Sequence, residues 1–208
     1  VSVATGTSAG NSGSLTIGTG AAQASGGVAV TTGKSPGPSG SVAMVAGSSL
    51  ASTGGSILLN SGGSSGTTSG AIRFGTGIGS SSGNLAIGTG EGTVSSGSVK
   101  IFSGMSLENK GGDIVVQSGA NQDAGGSISI VGGDSNVMTG GSTSIVTGKS
   151  LAGASGGVRF ETGTGALTGS IQLHSGNAAT ASGKIAIQTG AAAASTGDIT
   201  IAVGAAQT

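Results

Sequence analysis

The chain has 208 residues, 47 of them glycine, no cysteine, and seven basic side chains balanced by seven acidic ones. The absence of cysteine excludes a disulfide framework or a thiolate metal site, and charges scattered singly exclude the basic footprint of a nucleic-acid binder. No apolar run approaches the ~20 residues needed to cross a bilayer.

One phrase recurs along the chain. It reads Gly, any residue, aliphatic, any residue, aliphatic, any residue, Ser or Thr, Gly. Taking the first aliphatic as a mark, the phrases open at Val1, Leu15, Val28, Val42, Ile57, Ile72, Leu85, Val99, Ile114, Ile128, Thr143, Val158, Ile171, Ile185 and Ile199. "SGSLTIGTG" at 12–20 and "SGKIAIQTG" at 182–190 are clean copies, and among the marks only Thr143 is not aliphatic. Five residues after every mark stands a glycine, from Gly6 to Gly204; two before every mark the chain reaches stands another, from Gly13 to Gly197. Linkers do not keep such phase, which argues against plain disorder. Collagen is excluded because it needs glycine every third residue and abundant proline.

Inside each phrase the aliphatics alternate, so Leu15 and Ile17 share one face of an extended segment and Thr16 takes the other. The β-branched bias predicts short strands. A strand this short needs partners, and the other phrases supply them. The expected fold is therefore all-β: a parallel β-solenoid, or β-helix, of about fifteen repeats of ~14 residues. One repeat per coil is preferred, and two repeats per 28-residue coil is the alternative. The paired glycines would be corners, with positive φ or a tight approach. Leu50, Val94, Leu107, Val137, Leu151 and Leu167 would form a thinner second wall facing the aliphatics. Repeat spacings of 13 to 15 place their extra residues in this second half. The Ser or Thr before the second glycine (Thr5, Thr19, Thr32, Ser61, Thr76, Thr89 and onward) would stack as a hydroxyl ladder, bonding to neighbouring backbone at a turn. A longer echo runs above the repeat: "IRF" at 72–74 and "VRF" at 158–160 stand six repeats apart, and spacings six repeats apart mostly agree.

No position carries a recognisable catalytic, cofactor or metal motif. "GKS" at 33–35 and 148–150 resembles the end of a phosphate loop, but the glycine the motif requires five residues earlier is Val28 in one case and Thr143 in the other. "GTGEG" and "GTGIG" carry no information in so glycine-rich a chain. His174 is the sole histidine and reads as solvated surface, with no second histidine for a metal pair. The acids Glu91, Glu108, Asp113, Asp123, Asp134, Glu161 and Asp198 have no recurring spacing, and "GGDIVV" at 111–116 only touches the calcium-repeat pattern. Arg73, Lys100 and Arg159 fall on the outward face, where Arg159 and Glu161 can pair. Val45, Leu58, Phe102, Val115, Val131 and Val146 fall there too, as an interface or as isolated surface hydrophobes.

The phrase "SGS-h-x-h-x-TG" resembles very long, secreted Gly/Ser/Thr-rich repeat proteins of algae and related protists. That resemblance implies a filament or surface component. The expected function is a stackable rod in an extracellular fibre, hair or surface layer, not an enzyme, with no cofactor. Alternatives are the stalk of an adhesin and an ice-binding β-solenoid. The row after the mark (Ser2, Thr16, Ala29, Ala43, Leu58, Arg73, Ala86, Lys100) is no threonine array. Expected partners are copies of the chain or other filament subunits, joined head-to-tail or laterally, and the abundant Ser and Thr can carry O-linked sugars. No nucleic acid and no membrane contact are expected of this segment. Residues 1–208 read as one repeat domain. A start already in phase at Val1 and a stop in mid-repeat at Thr208 lead us to expect a piece of a longer repetitive chain, extracellular or at the cell surface.

Overall fold

A computed structural model of the chain describes residues 1–204; Thr208 lies outside them. The expected β-solenoid is not there. Among the described residues there is no strand and no helix, for one repeat per coil or for two. None of these residues is buried. β-Solenoid and β-helix are therefore the wrong descriptions of this chain. It is an irregular coil with a repeating local construction.

The chain divides into two units, Val1–Ile101 and Phe102–Thr208. In the first unit each phrase runs without a bend, and each linker carries one, at 9–10, 23–24, 36–37, 50–52, 65–67, 79–81 and 93–94. The second unit repeats the plan, with bends at 107–109, 122–123, 136–138, 151–153, 165–167, 179–180 and 193–194. The phase read from the sequence thus survives as an alternation of phrase and bend.

The reason a solenoid does not form lies in what each linker does. A coil would need the linker to carry the chain around and lay one phrase upon the next. Here the linker folds back on itself, and its two ends meet. Phrase aliphatics stay in solvent: Leu15 is 57% exposed and Ile17 74%. The residues expected to form the second wall sit instead on the linkers, with Leu50 fully exposed and Leu167 nearly so. Two modest aliphatics per repeat face a high ordering cost in a chain so rich in glycine. Nothing in the linker adds enough apolar area to offset it.

The corner reading of the glycines divides in two. No described residue, glycine included, has positive φ. Tight approach, however, is present, and only on one side of the linker. A Cβ on the glycine five after the mark would meet nothing, from Gly6 to Gly204. A Cβ on the glycine two before the next mark would meet the preceding phrase in all but the last linker. Examples are Gly97 against Thr89 Cγ2 at 3.1 Å and Gly112 against Ser103 Cβ at 3.1 Å.

Candidate functional site

The recurrent local structure is a pinched linker with three parts, which we call neck, seat and cap. The neck is a backbone hydrogen bond. Gly55 N–H donates to the Gly47 carbonyl (2.8 Å), Gly70 to Gly62 (2.9 Å), Gly112 to Gly104 (3.3 Å), Gly126 to Gly119 (2.9 Å), Gly141 to Gly133 (2.8 Å) and Gly156 to Gly148 (3.2 Å). The two phased glycines are therefore the two halves of one bond. All five linkers within 15-residue repeats are closed this way, and so is the one after Ile114, within a 14-residue repeat. Two shorter linkers close through a side chain instead. The Thr19 hydroxyl donates to the Gly26 carbonyl at 3.1 Å, and the Thr89 hydroxyl to that of Gly97 at 3.5 Å.

The seat is the residue four after the mark. Ala46, Ser118, Gly132, Thr147, Thr162 and Ser175 are the least exposed of the described residues, and all six occupy this position. The cause is the glycine at the far end of the linker, where a Cβ would come within 4 Å of this residue; four of the six linkers also carry a neck bond. At the expected hydroxyl ladder, then, each Ser or Thr but Thr189 meets the glycine at the far end of its own linker. It does not stack on the next hydroxyl.

The cap is the residue seven after the mark, a position the sequence reading overlooked. Serine stands there in seven linkers, and its oxygen accepts a backbone N–H two or three residues on. Gly10 donates to Ser8, Gly37 to Ser35, Ser52 to Ser49, Thr67 to Ser64, Asn109 to Ser106, Met138 to Ser135 and Gly153 to Ser150, at 2.8–3.2 Å. Asn121 stands at the same position and accepts from Gln122. Such short polar side chains compete for backbone donors and favour turns. Where glycine replaces serine, the reason is steric. A Cβ on Gly79 or Gly165 would lie 3.0 or 3.1 Å from the carbonyl oxygen of Ser81 or Leu167. The signal was legible: every 15-residue repeat has serine seven after its mark. The serines of both "GKS" tripeptides are caps, which gives them a structural role.

No charged side chain forms a neck, seat or cap among the described residues. Arg159 and Glu161 pair as expected, with Arg159 Nε donating to Glu161 Oε2 at 2.7 Å. Lys110 pairs with Asp113 at 2.8 Å. Both pairs are largely exposed and contribute little, about 0–1 kcal/mol. His174 is exposed. Among the described residues there is no cavity and no grouping of three metal-ligating side chains, and no helix is long and apolar enough to cross a membrane. Val45, Leu58, Phe102, Val115, Val131 and Val146 are all about four-fifths or more exposed, but so are apolar residues elsewhere; the two-faced strand that set them apart is missing. No family model matches the chain, and no curated protein or solved structure matches it either.

Proposed function

We propose that the chain is a repetitive structural component of an extracellular fibre, filament or surface layer, and that it associates with other copies along its length. One observation carries this reading: fifteen phrases of like build, each but that of Thr143 holding a pair of apolar residues, with no apolar residue buried among those described. Exposed apolar area is driven to association. Net charge of zero removes the long-range repulsion that would keep copies apart. The role is mechanical; catalysis and cofactors form no part of it. The abundant exposed Ser and Thr are compatible with O-linked sugars at a cell surface.

Sedimentation velocity over a hundredfold concentration range, with electron microscopy of the same samples, tests the reading. Concentration-dependent growth into elongated particles is expected. A chain that stays monomeric throughout would overturn it.

A further inference from the structure

The echo at six repeats has a structural counterpart, and it divides evenly between the two units. Within the first unit, residues 42–83 contain two linkers with closed necks, at 47–55 and 62–70, then one with no neck bond. Within the second, residues 128–169 contain closed necks at 133–141 and 148–156, then again one without. Repeat spacings in both blocks run 15, 15, 13. Both have Gly79 or Gly165 forced by a nearby carbonyl, and both carry "IRF" or "VRF" at the same place. Each unit thus holds one copy of a block, repeated 86 residues on, as Phe74 and Phe160 show.

We propose that each block is a docking surface for the other block of a second copy of this chain, so that copies overlap with a stagger of six phrases. This rests on the self-association proposed above and specifies its register. Four observations favour a second copy as the occupant. First, the chain exposes 20615 Å², whereas a compact monomer of 18.8 kDa exposes about 8,000 Å². The excess is several times a standard interface of about 1,600 Å². Second, between their bounding glycines the phrases make no backbone–backbone hydrogen bond among the described residues, so those donors and acceptors are free for a partner. Extended segments with unpaired edges recruit other extended segments. Third, another copy offers the same order of closed, closed and unclosed necks, so free neck groups meet free neck groups. Bonded necks ask nothing of each other.

Charge provides the fourth observation and selects the stagger. With zero shift, Arg73 would lie on Arg73. With a shift of six phrases it lies beside the Arg159–Glu161 pair, whose carboxylate offsets the second guanidinium. Two blocks per chain make each copy divalent. A staggered pair therefore leaves one block of each chain unoccupied for the next copy, and growth is open-ended.

The natural absence of cysteine allows a direct test on the full chain. Phe74→Cys and Phe160→Cys variants are mixed and oxidised, and disulfide-linked heterodimers are counted. Phe74→Cys mixed with Ile101→Cys, at the same place in another phrase, is the control. Sedimentation is run in parallel with the cysteines reduced. The 74–160 product is expected to exceed both the 74–101 product and the 74–74 homodimer at least about fivefold, as a difference near 1 kcal/mol produces. Equal yields from associating chains would overturn the stagger and leave self-association standing. A homodimer-dominated yield would overturn it in favour of zero shift. Chains that sediment as monomers would overturn the self-association itself.

Discussion

Serine seven residues after the mark is exposed, yet its oxygen holds a backbone N–H that no other group takes. In the Ser64 linker the oxygen accepts Thr67 N–H at 3.0 Å and lies 3.0 Å from the Thr67 hydroxyl. A net hydrogen bond of about 0.5–1.5 kcal/mol corresponds to roughly a 2- to 12-fold change in an opening equilibrium. Ser64→Ala is therefore expected to speed exchange of the Thr67 amide by that factor, with Ser65→Ala as a neutral comparison; an unchanged rate would remove the cap from the account. Where the cap is glycine, space decides. A Cβ on Gly92 falls onto the Ser95 carbonyl, whereas one on Gly90 meets nothing. Gly92→Ala is expected to shift the amide resonances of residues 92–96, and Gly90→Ala to leave them in place. Backbone shifts confined to the substituted residue in both would count against the crowding. Side-chain caps follow from local chemistry, which is why they were readable from sequence. Crowding at Gly92 was not, because it depends on the path of the bend.

At the scale of the linker, the two phased glycines are not equivalent, though the sequence treats them alike. Gly133 supplies a carbonyl and has open space where a side chain would go. Gly141 supplies the N–H and has Gly133 N only 2.9 Å from its absent Cβ. Gly141→Ala is expected to open the neck and lower amide protection at residue 141 about fivefold or more, the size of a bond near 1 kcal/mol. Gly133→Ala is expected to preserve it. Equal effects would mean the neck is not what selects glycine here. Period-two alternation in the phrases correctly located the unbent segments, since it is a local signal. Strand pairing was misjudged because it is non-local. Alternation states that a segment is extended, but not where its partner is, and the path of each linker decides that.

For the molecule as a whole, the decisive quantity is apolar area left in water. A compact chain of this length would absorb about 150 kcal/mol on unfolding. With no residue buried among those described, calorimetry on the monomer at high dilution is expected to show no cooperative endotherm. A sharp endotherm would demonstrate an intrachain core and overturn the open-chain description. The repeat, its phase and the six-repeat echo were all legible in the residues. Which chain satisfies the aliphatics was not, because Leu15 and Ile17 read the same whether their partner is a neighbouring phrase or another molecule.

The neck has one more consequence. Gly126 reaches Gly119 across seven residues at 2.9 Å, and Gly55 reaches Gly47 across eight at 2.8 Å. The bond is the same, so a linker one residue longer can be closed across the same gap. A codon gained or lost between such glycines changes the size of a side loop while the neck persists. A codon gained or lost inside a phrase changes the count between its apolar pair and the glycine that closes it, the one spacing that holds in all fifteen phrases. The gene for such a chain can drift in length between its paired glycines while the phrases they frame stay under strict count.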